Sequence, residues 1–159
     1  MQIRIIAVGK IKESYIREGI GEYEKRLRPY LKVSISEIAE EKRGVSVSLS
    51  QEKHLRELEG VRILDAIPPE ALVIALDVGG QHWSSEQFAK NIGEWEIAGK
   101  SPVVFIIGGD LGLGENVLTR ASLRLSLSPM TFTHPVARFI LLEQIYRAYR
   151  ILRGEPYHK

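Results

Sequence analysis

The sequence predicts an α/β fold: a single domain with a mostly parallel sheet and helices on both faces. Two observations predict it. Short apolar runs recur at residues 3–8, at Leu31, Val33 and Ile35, at residues 72–76 and 103–107, and at Leu123, Leu125 and Leu127; runs of this length, continuous or alternating, read as strands. The segments between them carry helical spacing, and strands that alternate with helices make parallel neighbours covered on both sides. A chain of 159 residues holds one full core and not two, so one domain is expected over residues 1–159.

The elements follow in order. After the first strand, Ile16, Ile20, Tyr23 and Leu27 recur at spacings of 4, 3 and 4, one face of a helix. The second strand leads into EEKRGVSVSLS, residues 40–50, which keeps neither period and reads as a flexible loop. Leu55, Leu58 and Arg62 mark the next helix, which ends near Pro68. The third strand runs to Leu76 and is expected to open there into the loop Asp77, Val78, Gly79, Gly80. Ser84 with Gln87 resembles a capping box that starts another helix. The fourth strand, VVFII, empties into GGDLGLG, and the fifth runs to Leu127. In the last helix, residues 135–153, apolar side chains including Phe139, Ile140, Leu141, Ile145, Tyr146, Tyr149 and Leu152 surround most of the axis. One sheet covers one side of such a helix, so a second copy of the chain is expected on the other, making a homodimer.

Composition narrows the function. With 44% apolar and 26% charged residues the chain reads as a soluble globular protein rather than a disordered one. It has no cysteine, hence no disulfide framework and no Cys-based metal site. MQIRIIAVGK is too short an apolar run for a signal peptide and nothing reads as a membrane span, so a cytoplasmic protein is expected. Residues 120–159 carry seven Lys and Arg against two Glu, whereas residues 1–119 carry fifteen against eighteen acidic groups. This basic quarter suggests RNA or DNA as a partner, with a solvated helix face as the plainer reading.

The glycines at 108, 109, 112 and 114 fit neither GxGxxG nor GxxxxGK[ST], which weakens nucleotide and flavin readings; a ligand loop or a plain connection remains. If the third, fourth and fifth strands are parallel neighbours, the loops after them, at 76–80, 108–114 and 127–132, open at one edge and form a cofactor pocket. His54, His82, His134 and His158 show no metal-ligand spacing, and no GxSxG or cysteine nucleophile exists, so metal and acyl-transfer chemistry are set aside.

FIIGG followed by GL, the loop SLSPMTFTHPVAR and the ending EQIYRAYRILRGEPYHK resemble the bacterial large-subunit ribosomal RNA pseudouridine N3-methyltransferases, the RlmH family of the SPOUT superfamily. The resemblance runs from IRIIAVGKIKE to PYHK. It implies a C-terminal trefoil knot, a homodimer, S-adenosyl-L-methionine as cofactor, and as substrate a pseudouridine in helix 69 of 23S rRNA on assembled ribosomes. Carried over by motif, the cofactor contacts fall at Leu76, Gly108, Leu127, Ser128, Pro129, Met130, Thr131 and Phe132, with Gly108 letting the main chain approach the ligand. Thr133 stands where relatives commonly have proline, which bears on the rigidity of that loop.

The base N3 is an imide nitrogen that must lose a proton as it attacks a methyl group. The candidates to assist are His134 beside the cofactor loop, and Tyr157 and His158 on a tail that in this family resembles a lid. Arg138 or Arg153 would stabilise the developing imidate or hold a phosphate. A helix-start histidine also serves commonly as a cap, and a terminal tail commonly frays. Trp83 and Trp95 are expected over the core, and Asp77 in the strand-end loop. A non-catalytic ribosome-binding or assembly factor is the alternative function.

Overall fold

The structure, a computed structural model, describes residues 1–157. Its elements run β1 (Gln2–Val8), α1 (Ser14–Leu27), β2 (Lys32–Ile38), α2 (Leu49–Ala66), β3 (Leu72–His82), α3 (Ser85–Ile97), β4 (Val103–Ile107), α4 (Glu115–Arg120), β5 (Leu123–Ser126) and α5 (His134–Leu152). The strands form one sheet in the order β2-β1-β4-β3-β5, every neighbouring pair parallel. β4 lies at the centre, which is why Val103, Val104, Phe105, Ile106 and Ile107 are all buried: each face of a central parallel strand is covered.

Alternation along the strands divides the core. Ile3, Ile5, Val103 and Phe105 face one layer with α1, α3 and α5, whereas Ile6, Val8, Val73, Val104 and Ile106 face a smaller layer under α2 and α4. Among the described residues no helix is long and apolar enough to cross a membrane.

Four local expectations change. β3 does not end at Leu76. It continues to His82 through an irregularity at which β5 re-registers, so that Leu125 pairs first with Leu76 and then with Gln81. Gly80 makes this possible, since a Cβ there would stand 2.6 Å from the backbone carbon of Arg124. α2 buries Glu59, Gly60 and Ile63 rather than a Leu55–Leu58 stripe; Gly60 lets the Asn116 side chain of the α4 turn pack against the helix axis. Its start carries the capping box Ser48–Gln51, the same pattern that Ser84 and Gln87 form before α3. The loop before α2 is tied at its base, where the Glu59 carboxylate accepts a hydrogen bond from the Glu41 amide at 3.0 Å and Arg62 pairs with Glu41.

The fourth change concerns α5. α1 and α3 flank it, and each approaches through a glycine: a Cβ on Gly19 would meet the Phe139 ring at 2.8 Å, and one on Gly93 would meet Leu152 at 2.8 Å. Sheet, α1 and α3 together bury Leu141, Leu142, Ile145, Ala148 and Tyr149. One chain therefore covers most of the helix's apolar girth and leaves part of it uncovered, with Phe139, Ile140, Tyr146 and Ile151 only partly buried and Leu152 exposed.

Candidate active site

β4, β3 and β5 are adjacent and parallel, so the segments at their C-terminal ends meet at one edge of the sheet. They enclose a cavity of about 320 Å³, within the ordinary range for small-ligand sites. Leu76, Asp77 and Val78 line it from the β3 irregularity, residues from Ile107 to Leu113 from the turn after β4, residues from Ser126 to Thr133 from the turn after β5, and His134 and Ala137 from the first turn of α5. Of the sequence-expected contacts, Leu76, Gly108, Leu127, Ser128, Met130, Thr131 and Phe132 share this wall. Pro129 is exposed and does not line the cavity.

The loops hold themselves open by internal bonds. Gly109 and Gly112 form a bridge, with the Gly112 amide donating to the Gly109 carbonyl at 3.0 Å. A Cβ on Gly108 would stand 2.8 Å from the Gly112 carbonyl carbon. The loop's own closure thus requires a glycine here, a second demand beside the expected approach of its main chain to a ligand. After β5, the Ser126 hydroxyl donates to the Ser128 carbonyl at 2.9 Å, and the Met130 amide donates to the Ser128 hydroxyl at 3.0 Å. Pro129 sits at the outside of this tight turn and sets its path. Asp77 pairs with Arg124 at 2.5 Å while facing the cavity, and Asp110 lies 3.7 Å from Arg43 of the loop before α2. The wall is therefore apolar from Leu76, Leu127, Met130 and Phe132, edged by main-chain groups and by two carboxylates. That donor set fits a ligand with a flat apolar ring, polar ring edges and a cationic end.

His134 is the first residue of α5. It does not cap the helix; Thr133 occupies the N-cap position and makes no side-chain cap bond. The imidazole lies over Gly9, where a Cβ would come within 2.8 Å of Nε2. Gly9 has φ +89°, so the turn after β1 needs glycine for conformation and for contact with this ring. Burial and then the Arg138 charge hold the His134 pKa below the usual histidine range, against opposing pulls from Glu40, Asp110 and Glu13.

Arg138, one turn further, is fully buried and does not line the cavity. Its guanidinium donates to Glu37 at 2.8 Å, to the Gly9 carbonyl at 2.5 Å and to His134 Nδ1 at 3.0 Å. The expectation that Arg138 meets substrate is corrected on this geometry: every contact is internal.

Tyr157 lies elsewhere. Its hydroxyl donates to Glu143 at 3.0 Å and meets the Tyr23 hydroxyl at 3.1 Å, its ring packs edge-on to Tyr146 with centroids 4.9 Å apart, and Arg147 covers it. Burial, followed by the bonds to Tyr23 and Glu143, pushes its pKa far above the usual phenol range. Glu143 is nine residues along α5 from His134, roughly 13 Å of helix. Arg153 stacks on Tyr30 at the same far end. His158 lies outside the described residues. Trp83 and Trp95 pack together over the core, centroids 6.3 Å apart.

The basic quarter is largely engaged within the chain. Arg120 bonds the carbonyls of Pro69 and Ala71, Arg124 pairs with Asp77, Arg138 with Glu37, Arg147 with Glu143 and Arg150 with Glu155. Sequence reasoning missed the Gly9–His134 contact and the Asp110 carboxylate. The isolated glycine directly after β1 was the available signal for the first; nothing local marks the second.

Comparison with known proteins agrees with this architecture. Residues 1–158 match the family model described as "Predicted SPOUT methyltransferase". The chain is 51% identical to the ribosomal RNA large subunit methyltransferase H of Carboxydothermus hydrogenoformans and 50% identical to that of Bacillus pumilus, over 159 residues and 100% of both chains in each case. Among solved structures, a "probable methylase family protein" from Haemophilus influenzae superposes with a TM-score of 0.51 at 13% identity, covering 99% of this chain and 70% of that one, a likeness of fold. A parallel sheet with a cavity at the ends of three adjacent strands, matched over its length by the family model and by these relatives, is a member of the SPOUT methyltransferase family.

Proposed function

We propose that the chain is a single methyltransferase domain over residues 1–159 that uses S-adenosyl-L-methionine to methylate N3 of a pseudouridine in helix 69 of 23S rRNA on assembled ribosomes. It would work in the cytoplasm as a homodimer. The cavity where β4, β3 and β5 end is the observation that carries this reading, because its wall suits an adenine ring, its main-chain edges suit the ring nitrogens, and Asp77 and Asp110 suit a cationic end. The names of the relatives support ribosomal RNA as substrate. The close passage of β5 past Gly80 is compatible with the family's trefoil knot.

Leu76, Gly108, Leu127, Ser128, Met130, Thr131 and Phe132 would hold the cofactor, with Pro129 shaping their turn. When bound, the cofactor supplies a methyl group on a sulfonium centre. The chain's own residues orient the base and help its N3 proton away, and orientation alone contributes up to about 7–11 kcal/mol. Tyr157 keeps its proton well above neutral pH and donates it in a hydrogen bond to Glu143, so it is not the group that takes the N3 proton. This leaves His158 as the tail group suited to take a proton. A chain's Tyr157 is held on its own α5 away from its own cavity, so a tail that completes a site would do so on the partner subunit. The modest net charge of +2, with most C-terminal arginines engaged internally, favours selection of the target by shape and ribosomal context over bulk attraction.

The test is transfer of a labelled methyl group from S-adenosyl-L-methionine to ribosomes lacking the modification, with free rRNA as control, followed by mapping. Label at N3 of the helix 69 pseudouridine, on ribosomes only, is expected. No label on any RNA, despite cofactor binding, would favour the non-catalytic ribosome-binding factor.

A further inference from the structure

The contact between Arg138 and His134 decides what the imidazole can do. An arginine guanidinium is all donor and never gives up its charge in a protein. Its NH2 group stands 3.0 Å from His134 Nδ1, so that nitrogen must be the acceptor and cannot itself carry a proton. The guanidinium cannot swing away to admit one, because the same group donates to the Gly9 carbonyl at 2.5 Å and its neighbour donates to Glu37 at 2.8 Å. The arginine is fully buried, so water cannot replace these contacts. Reversing the ring would set a carbon against a donor and leave that donor unpaired. The single proton of the neutral imidazole is thus left for Nε2, which has no partner among the described residues and is not sealed from solvent.

We propose that Arg138 is a positioning residue that locks His134 as the neutral Nε2–H tautomer, making His134 a hydrogen-bond donor to an anionic or carbonyl oxygen in the cavity and excluding it as the base that takes the N3 proton. This deepens the methyltransferase reading and, for the identity of the oxygen, rests on it. Accepting a second proton would require Nδ1 to give up its bond and place an imidazolium against a buried guanidinium. The groups that would favour such a cation, Glu40 before α2, Asp110 after β4 and Glu13 before α1, are outweighed by burial and by Arg138. Glu37 is already engaged by the arginine. The oxygen is either the carboxylate of the cofactor or the carbonyl of the base that becomes an imidate.

Two measurements test the lock. In the full-length protein labelled with 15N-histidine, two-bond proton–nitrogen spectra, assigned by loss of signals in His134→Gln, should show His134 with an acceptor-type Nδ1 and a protonated Nε2 at pH 7. The pattern should persist below the pH at which an ordinary histidine titrates, while Arg138→Gln should restore mixed tautomers and move the titration up toward the ordinary range, with burial still holding it down. A protonated Nδ1 or an imidazolium in the wild type at pH 7 overturns the lock, and this readout stands whether or not any methyl transfer is found.

In the methyl-transfer assay, His134→Gln retains a side-chain N–H without a basic nitrogen. It should keep activity within about tenfold of wild type with an unshifted pH profile, while His134→Ala should fall about a hundredfold. A glutamine variant as inactive as the alanine variant overturns the donor role. A loss confined to cofactor Kd in the alanine variant assigns the oxygen to the cofactor carboxylate; a loss in kcat at saturating cofactor assigns it to the base.

Discussion

The first and last turns of α5 use the same materials to opposite ends. At the first, a buried arginine bonds a carboxylate and a ring, Arg138 with Glu37 and His134, beneath a cavity. At the last, Arg150 bonds Glu155 and the Tyr30 hydroxyl beneath the packed rings of Tyr23, Tyr146 and Tyr157. Each arginine even buries one unpaired Nε. The difference lies in what covers them. The tail end is filled by the chain's own aromatic groups, whereas the other end keeps an open volume with one imidazole nitrogen beside it that has no partner among the described residues. Equal polarity at the two ends thus serves anchoring where the space is filled and ligand chemistry where it is not.

The sharpest way to break this comparison is to remove the two arginines. Arg138→Met leaves the Gly9 carbonyl and the partly exposed Glu37 carboxylate without a donor that is itself fully buried, and should lower stability in chemical denaturation by about 1–3 kcal/mol. Arg150→Met, at a partly exposed pair, should lose about 1 kcal/mol or less. Equal losses would erase the distinction between a sealed and an open arginine.

Two glycines give the next largest contrast. Gly9 and Gly154 both have positive φ, +89° and +63°, so alanine at either should cost about 1–2 kcal/mol in melting experiments. A Cβ at Gly154 meets nothing within 4 Å, whereas at Gly9 it meets the His134 ring at 2.8 Å. Only Gly9→Ala should therefore also weaken cofactor binding, by about tenfold or more if the imidazole is displaced.

Tyr157→Phe removes the bonds to Glu143 and Tyr23 and should cost about 0.5–1.5 kcal/mol, with cofactor affinity unchanged. Its methyl-transfer rate should nevertheless fall if the tail completes the partner's site.

The smallest effect is in pH. The folded pKa of His134 lies below its unfolded value, so its unfolded form binds more protons and its contribution to stability, present above about pH 6.5, is lost as pH falls through the folded value. Tyr157 is shifted upward, so its contribution is present at neutral pH and lost only as pH rises well beyond about 10. Melting temperatures of wild type, His134→Gln and Tyr157→Phe across pH should show acid acting at the cavity end and strong base at the tail end.

Five strands and four of the helices were legible because their signals are local: short apolar runs, continuous or alternating, helical spacing and the Ser84–Gln87 box. The short α4 was missed because six residues after Gly114 hold too little periodicity. The extension of β3 through Gly79 and Gly80 was unreadable, since glycines mark turns locally and only the neighbouring β5 backbone keeps these extended. The convergence of three loops was legible as a condition, and the strand order meets it. Arg138 shows where local reading stops: an arginine one turn into a helix looks available to substrate, and its burial depends on Gly9 and Glu37, 129 and 101 residues away.

The claim that the cavity at the first turn of α5 holds the cofactor is tested most directly by calorimetric titration of S-adenosyl-L-methionine into wild type, Thr131→Trp and Ile97→Trp. Thr131 and Ile97 are both exposed, one on the cavity wall and one at the end of α3 outside the cavity, so neither substitution disturbs the core. Saturable binding to wild type and Ile97→Trp, with Thr131→Trp weakened by about a hundredfold at an unchanged melting temperature, is the predicted result. Undiminished binding to Thr131→Trp would contradict it and place the cofactor elsewhere on the chain.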